Sequence, residues 1–253
     1  MNFEQLDEQM RVFERAMDQV IMPGVWMVAR IDGRNFTRLT KEICQYEAPF
    51  DIRFRDAMIT ATKRLMDCGF RVIYGFTQSD EISLLFALQE NAFARKVRKY
   101  NSILAGEASA AFSLATGHAA AFDCRMIPLP NKKTIQDYFL WRQEDACRNA
   151  LNGWCYWTLR KENMDAVQAA AMLAGKSIAW KNEFLYQRGT NFNDLPLWQK
   201  RGIGLYKKEA LHNGVNPVTG QSVQTVRNKL YVDLELPVRA AYRDFIGAML
   251  KEK

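Results

Sequence analysis

The feature of this sequence that most limits the possible folds is a pair of strand-like apolar runs that each lead to a carboxylate. The first run, residues 25–31, ends at Asp32. The second is interrupted at residues 75–79, and Asp80 and Glu81 open the strand that follows. Acidic side chains on different strands can act together only where those strands are neighbours, so the topology decides what these carboxylates can do.

The predicted elements around these runs follow the order β-α-β-β-α-β. Helical spacing of apolar residues predicts helices over residues 50–68 and 92–116, each followed by a glycine that suits a helix C-terminus. Strand-like runs cover residues 25–31, 70–76, 82–88 and 119–127. This order is the split pattern of a ferredoxin-like sheet, so the predicted fold class is α/β (α+β).

Chain geometry then places the two acidic stretches together. A right-handed crossover makes the first two strands parallel, and the hairpin makes the third antiparallel to both. If the third strand lies between them, Asp32 and Asp80 lie side by side, about 5 Å apart. Hard oxygen ligands and a shortage of histidines favour Mg²⁺ over Zn²⁺. Asp-Gly is also an ordinary turn, and Asp80-Glu81 an ordinary hairpin, but their joint position favours a metal site.

Four ordered blocks carry a resemblance to a known family. Residues 30–36 read Arg-Ile-Asp-Gly-Arg-Asn-Phe and residues 78–81 read Gln-Ser-Asp-Glu. They resemble the signature of the tRNA-histidine guanylyltransferase family and its relatives, the 3′-to-5′ polymerases. Residues 141–152 and 189–202 resemble the family's Arg-Gln-x-Asp-x-His-x-Asn and Gly-x-Asn-x-Asn blocks. The resemblance implies a polymerase-type palm that uses two Mg²⁺ ions for phosphoryl transfer.

The resemblance also implies roles for particular residues. Asp32, the Gly33 carbonyl and Asp80 are the expected metal ligands. Glu81 is expected to be a lesser catalytic residue than Asp32 and Asp80, because neighbouring side chains on a strand point to opposite faces. The predicted nucleotide-binding residues are Asp32, Gly33, Arg34, Asn35, Phe36, Thr37, Lys41, Ser79, Asp80, Lys96 and Lys99. Loop N–H groups and Lys41 suit a triphosphate. Residues 95–99 could instead be a solvated face, with Arg95 and Lys99 on one side of a helix.

A second set of residues is expected to contact tRNA. Three polar side chains recur at helical spacing on one face of a helix predicted over residues 138–159, and two more lie in a later loop. The set is Asp145, Asn149, Asn152, Asn193 and Lys200. Cys147 stands where the tRNA-histidine enzymes carry His, and this departure leaves broader tRNA 5′-end repair open beside the addition of a single G to tRNA-histidine.

We predict two domains, a catalytic palm over residues 1–132 and a C-terminal domain over residues 133–253 for tRNA and subunit contacts. The second is expected to be mostly helical, with helices over residues 169–186 and 238–250. It also carries a β-hairpin, residues 203–212 and 221–236, around a connection at residues 213–220. Residues 131–133 look like a linker. Near the N-terminus, a helix over residues 6–17 is expected to pack on the sheet.

Composition fits an anionic partner. The net charge is +7 and the isoelectric point is near 9.2, which suits tRNA together with GTP, ATP and other NTPs, although a membrane surface is a second candidate. No apolar run is long enough to span a bilayer and the N-terminus is unlike a signal peptide, so we expect a cytoplasmic protein. Five scattered cysteines suit reduced thiols. By resemblance, the chain is expected to form a homo-oligomer, such as a tetramer.

The predicted activity is a nucleotidyltransferase that adds nucleotides to the 5′ end of tRNA in the 3′-to-5′ direction. The nucleotide would be GTP by preference or an NTP directed by a template. Three alternatives stay open at this point: a nucleotidyl cyclase that acts on NTP alone, an ordinary 5′-to-3′ polymerase, and a non-catalytic tRNA-binding protein.

Overall fold

The computed structural model describes residues 2–215 and 221–250 of the 253-residue chain. The strands are β1 Trp26–Arg34, β2 Val72–Gln78, β3 Glu81–Phe86, β4 Ala121–Leu129, β5 Ile203–Val215 and β6 Ser222–Asp233. The helices are α1 Phe3–Arg15, α2 Phe36–Arg38, α3 Ile52–Leu65, α4 Val97–Thr116, α5 Lys132–Lys161, α6 Ala166–Leu173, α7 Ile178–Tyr186, α8 Leu197–Arg201 and α9 Arg239–Met249. A π-helical turn, Leu39–Ile43, continues α2.

The six strands form one sheet in the order β4-β1-β3-β2-β5-β6. Strand β3 lies between β1 and β2 and pairs antiparallel with both, which confirms the predicted split βαββαβ arrangement. The hairpin β5–β6 joins the same sheet, because β5 pairs with β2. The ends of β1 and of the β2–β3 hairpin therefore meet at one edge of the sheet.

Helices cover both faces of this sheet. On one face α3 and α4 pack over side chains such as Met27 and Leu84. On the other face α5 and α9 cover Val28 and Leu85, with Phe139 of α5 fully buried against them. Helix α5 thus ties the C-terminal part of the chain to the palm sheet, and the division at residue 132 stays a prediction.

Helix α5 is longer than the sequence pattern predicts. It spans 30 residues, and the Asn131 side chain caps it by accepting the Thr134 backbone N–H. The segment predicted as a linker is therefore the cap and first turn of this helix.

Three predicted element boundaries are wrong. The helix expected over residues 92–116 begins with a separate 3₁₀ turn, Ala92–Arg95, in which Phe93 and Ala94 have φ near 51°. The helix expected over residues 169–186 breaks at Gly175, whose φ of 69° is left-handed. Strand β2 is continuous through Gly75, so the break expected at residues 75–79 reduces to the two-residue turn at Ser79 and Asp80.

Helix α1 does not pack on the sheet as expected, since none of its residues is buried. In the hairpin, residues 213–215 continue β5, and residues 216–220 lie outside the described part of the chain. None of the helices in the described ranges is both long and apolar enough to cross a bilayer.

Candidate active site

The turn between β2 and β3 presents Asp80 at the edge of the sheet. Ser79 has a φ of 49°, the left-handed value that a tight two-residue hairpin needs at its first position. The Ser79 hydroxyl donates to Asp80 Oδ1 at 2.9 Å. The buried Thr77 hydroxyl donates to the Glu81 carbonyl at 2.9 Å and fixes the base of the turn.

Gly33 joins the end of β1 to this turn and leaves space for the Phe36 ring. Its N–H donates to the Asp80 carbonyl at 3.0 Å, and Asp32 pairs with Glu81 in the register of β1 and β3. A Cβ at position 33 would lie 2.5 Å from the ring of buried Phe36. The two acidic stretches are neighbours as predicted, but the register is offset by one residue, so that Asp80 faces Gly33.

Asp80 forms no ion pair with any residue that the structure describes. Burial raises its pKa above the ordinary value, and the negative charge of Asp32 raises it further. Within the described ranges its side chain accepts a hydrogen bond from Ser79, and no ion pair reaches it. A divalent cation bound between Asp80 and Asp32 would relieve this repulsion.

Asp32 is partly exposed and lies near two guanidinium groups. Its Oδ2 is 3.6 Å from Arg30 Nη2 and 3.7 Å from Arg125 Nη2. About a third of the Asp32 side chain is exposed, at 32%. These contacts are longer than hydrogen bonds, so both carboxylate oxygens keep coordination capacity.

Glu81 is committed to a buried ion network rather than to the open site. Arg142 of α5 donates to both of its carboxylate oxygens, at 2.7 and 2.8 Å, and Arg30 donates to one at 2.5 Å. Burial raises the pKa of Glu81 while both guanidinium groups oppose that rise. Asp145 joins the network through Arg142 at 3.1 Å. The network fixes α5 against the end of β1, beside Asp32.

A cleft beside Asp80, which we call the nucleotide cleft, gathers several predicted nucleotide-binding residues. Five of them line it: Phe36, Thr37, Lys41, Ser79 and Asp80. Lys41 Nζ lies 4.8 Å from the ring centroid of Trp157 on the far wall. The cleft therefore combines a cation, hydroxyl groups and a half-buried carboxylate within one opening.

Four of the predicted nucleotide-binding residues lie elsewhere. Arg34 and Asn35 are exposed and line a separate groove next to β4. Lys96 pairs with Asp18 at 2.9 Å, and Lys99 Nζ lies over the Phe93 ring at 5.7 Å.

Lys96 and Lys99 belong to the opposite end of the sheet from Asp32. The preceding residue, Arg95, is buried and donates to the carbonyls of Ile21 and Val25, just before β1 begins. A strand rises about 3.3 Å per residue, so Val25 and Asp32 are about 23 Å apart. Within one chain, these lysines are therefore far from Asp80. Arg95 was expected to share a helical face with Lys99, but Arg95 lies in the 3₁₀ turn before α4 begins.

The predicted tRNA contacts are also divided. Asn149 is exposed on α5 and donates to Asp145 at 3.2 Å, close to the site. Asn152 accepts from Lys181 Nζ at 2.9 Å. Asn193 is exposed, but Lys200 is buried and donates to the Phe192 and Asn193 carbonyls at 3.1 and 2.6 Å. The expectation that Lys200 meets RNA is not supported, because its ammonium group anchors a loop instead.

Sequence reasoning missed Arg30, Arg142 and Trp157 as parts of the site. Both arginines belong to blocks that carry the family resemblance, and this was the available signal. Nothing in the sequence pattern shows that Arg142 reaches a carboxylate 61 positions away. Trp157 lines the nucleotide cleft, and nothing in the sequence pattern separates it from the aromatic residues that pack in the core.

The donor set at this edge suits a hard cation. Asp32 and Asp80 offer carboxylate oxygens, and Gly33 offers a backbone carbonyl between them. The described residues include no cluster of three or more His, Cys, Asp or Glu side chains, so water would complete the coordination sphere. Mg²⁺ is the cation that is commonly held by one or two carboxylates together with water and phosphate oxygens.

Comparisons with known proteins show which family the chain resembles. The family described as tRNAHis guanylyltransferase matches residues 7–130, and the Thg1 C-terminal domain matches residues 133–246. The probable tRNA(His) guanylyltransferase of Drosophila melanogaster is 32% identical over 214 residues, covering 81% of this chain and 74% of the relative. The human relative is 29% identical over 213 residues, covering 79% and 70%.

Solved structures give the same result. A bacterial tRNA(His) guanylyltransferase-like protein in complex with ATP superposes with a TM-score of 0.76 at 26% identity, covering 98% of this chain and all of that one. A bacterial tRNA(His) guanylyltransferase-like protein in complex with GTP superposes with a TM-score of 0.73. The Saccharomyces cerevisiae tRNA(His) guanylyltransferase gives 0.70, covering 77% of this chain and 91% of its own. The chain belongs to the tRNA(His) guanylyltransferase family of nucleotidyltransferases.

Proposed function

We propose that this protein adds nucleotides to the 5′ end of tRNA in the 3′-to-5′ direction. The observation that carries the proposal is the pair Asp32 and Asp80 at one edge of the sheet, where Asp80 lines the nucleotide cleft. The relatives that bind GTP and ATP support the substrate class. The curated relatives, named for tRNA(His), support the acceptor.

The reaction joins the 3′-hydroxyl oxygen of an incoming NTP to the 5′ phosphorus of the tRNA. The leaving group is pyrophosphate where the tRNA carries a 5′ triphosphate, and AMP where the end was first adenylylated by ATP. Lys41 and the N–H groups of the loop after Gly33 bind phosphate oxygens. The Ser79 hydroxyl orients Asp80 and contacts the nucleotide.

Asp32, Asp80 and the Gly33 carbonyl would hold two Mg²⁺ ions. Bound Mg²⁺ supplies a more acidic 3′-hydroxyl and neutralises charge on the leaving group. The β1–β3 register orients the two carboxylates, and a cation bound beside Asp80 would favour its ionised form against the desolvation that raises its pKa. Glu81 acts here as a positioning residue, because its oxygens are engaged by Arg30 and Arg142.

The decisive experiment uses a tRNA that lacks its first 5′ nucleotide and carries a 5′ triphosphate. It is incubated with Mg²⁺ and each NTP in turn, with each of the four bases opposite the missing position. We expect extension of the 5′ end. Release of pyrophosphate from NTP alone, without extension, would point to a cyclase and overturn the proposal.

The same experiment distinguishes broader tRNA 5′-end repair from addition of a single G to tRNA-histidine, the two activities that Cys147 leaves open. Cys147 is exposed on α5, one helical turn before Leu151. We propose template-directed repair, in which the added nucleotide follows the opposing base. Addition of G alone, and only to tRNA-histidine, would favour the narrower activity and show that the family histidine is dispensable for it.

A further inference from the structure

A second cleft adjoins the nucleotide cleft, and the mechanism above does not use it. We call it the aromatic slot and define it by Phe50, Phe54, Trp157, Trp198 and Gly153. The two clefts share Trp157 and Ser79, so a molecule in the slot lies next to the candidate reaction centre. Its walls come from α3, α5 and the segment around α8.

The slot is built to hold a flat, uncharged group. Phe50 and Trp198 meet edge to face, with centroids 5.7 Å apart and planes at 88°. Arg55 is the single cation among the described residues that line the slot, and it is already engaged. It donates to Asp56 at 2.8 Å and lies over the Trp198 ring at 5.1 Å. The described residues of the slot therefore offer no unpaired cation to bind phosphate, whereas its aromatic rings offer surfaces on which a base can stack.

Polar groups at the rim provide a way to hold the edge of a base. Asn149, Gln78 and Gln199 all line the slot. Asn149 is exposed at the rim, and Gln199 accepts from Trp154 Nε1 at 3.2 Å, which leaves its amide N–H groups free to donate. Side-chain amides are suited to the donor and acceptor edges of nucleobases.

Gly153 keeps the slot open. It lies inside α5, where a glycine destabilises a helix by about 1 kcal/mol relative to alanine. A Cβ built at this position would meet only Pro49 Cβ, at 3.9 Å, so packing does not require a glycine. A larger side chain at position 153 would project into the slot instead. The position is consistent with a cavity that must stay empty for a ligand.

We propose that the aromatic slot takes one unpaired nucleobase from the 3′ overhang of the tRNA acceptor end. This inference rests on the proposed function, because an acceptor end being extended at its 5′ side carries single-stranded 3′ nucleotides alongside. The incoming NTP is assigned to the nucleotide cleft, where Lys41 and Asp80 lie. The slot then fixes the acceptor end in register with the reaction centre.

The test measures binding, so that it does not depend on catalysis. The full chain is titrated into a labelled tRNA, without NTP, and Kd is read from fluorescence anisotropy. Gly153→Leu fills the slot, Gly153→Ala leaves it open, and Gly106→Leu places the same side chain on the exposed face of α4, where no atom lies within 4 Å. We expect Gly153→Leu to weaken tRNA binding on the order of tenfold, as loss of one stacked base does, with both controls near wild type.

A second arm identifies the occupant. Abasic residues are introduced one at a time through the 3′ overhang, and at one position the substitution should weaken binding to wild type by the same factor. The abasic substitution at that tRNA position should cause no further loss of affinity for the Gly153→Leu variant. If Gly153→Leu weakens GTP binding and spares tRNA, the slot holds the base of the NTP and the inference is wrong. Unchanged tRNA affinity would also overturn it, while nucleotide addition by wild type would still support the proposed function.

Discussion

At the scale of single residues, two acidic side chains of the nucleotide cleft have pKa values shifted in opposite directions. Burial raises the pKa of Asp80, and Asp32 adds to the shift. Asp51 has its pKa lowered to about 2, chiefly by hydrogen bonds from Arg53. Both line the same cleft, so the difference comes from the partners that each carboxylate has.

We predict that Asp80→Asn abolishes nucleotide addition while making the metal-free protein more stable. Activity should fall at least about 100-fold, since even the partners of metal ligands contribute 10- to 100-fold. The free energy of unfolding should rise because a partly desolvated charge that Asp32 repels is removed. Urea unfolding and a primer-extension assay measure the two effects, and Mg²⁺ should stabilise wild type but not the variant.

The pH dependence of Asp80 has a definite sign. Its folded-state pKa is raised, so the protein binds that proton better folded than unfolded, and stability falls as pH rises above about 4. The advantage of Asp80→Asn over wild type should therefore grow with pH in that range. An advantage that shrinks as pH rises would contradict the assigned direction.

For Asp51, stability should change with pH in the opposite direction, because its pKa is lowered in the folded state. It caps α3, accepting from the Arg53 and Glu47 N–H groups at 2.7 and 2.8 Å. Because its pKa is lowered to about 2, its contribution should be present above the ordinary value and lost as pH falls from there. Asp51→Ala should reduce the free energy of unfolding by about 1 kcal/mol at neutral pH. Asp51→Asn keeps the cap and should flatten the acid limb of the pH profile, as measured by urea unfolding.

At the scale of elements, helix α5 is held on the sheet by the buried pair Glu81 and Arg142. Only 3% of the Arg142 side chain and 6% of the Glu81 side chain are exposed. Glu81→Gln leaves guanidinium groups without their counter-charge and should cost about 3 kcal/mol of stability. Glu107→Gln is the matched control. Its pair with Arg64 is largely exposed and should contribute about 1 kcal/mol or less.

The kinetics of Glu81→Gln distinguish positioning from metal binding. If the network orients Asp32 through Arg30, the variant should reduce kcat without changing the affinity for Mg²⁺, measured by titration of the metal against activity. A large rise in the Mg²⁺ requirement would instead make Glu81 a metal ligand.

Local pattern predicted the elements of the palm because each has a clear period and a clear stop. Gly117 ends α4 at a left-handed φ of 73°, as its position indicated, but the same expectation for Gly69 is wrong, because α3 ends at Leu65 with Met66 as its C-cap. The break at Phe93 was not predictable, because nothing in an Ala-Phe-Ala run marks positive φ at a non-glycine residue. There the buried Arg95, which donates to the distant carbonyls of Ile21 and Val25, overrides local preference.

At the scale of the whole molecule, pairing between segments far apart in the sequence determines the parts of the fold that local sequence patterns do not predict. The split palm was predictable from connection rules, and with it the meeting of Asp32 and the Ser79–Asp80 turn. The addition of β5 to β2 was not, because it joins residues about 130 positions apart and no local pattern records it. Lys96 and Lys99, which the resemblance implies as triphosphate contacts, lie at the other end of the sheet from Asp32 within one chain. Their spacing in the sequence does not report where along a sheet they lie.

Helix α1 presents an apolar stripe to solvent that a single chain leaves uncovered. Phe3, Leu6, Met10 and Phe13 are 80%, 46%, 47% and 69% exposed, and their spacing of three and four residues puts them on one face. Covering these side chains with the same stripe of another copy would remove this apolar surface from water. We therefore propose self-association through α1, in line with the expected homo-oligomer.

Sedimentation velocity tests this proposal directly. Wild type should sediment at a multiple of the 29.2 kDa chain mass, and the double variant Leu6→Glu with Phe13→Glu should sediment as one chain. Val12→Glu is the control, because Val12 is exposed on the opposite side of α1 and should leave assembly intact. If assembly also brings Lys96 of one copy to the Asp80 cleft of another, the double variant should lose nucleotide affinity as well as mass. A double variant that keeps the wild-type mass would rule out α1 as the interface.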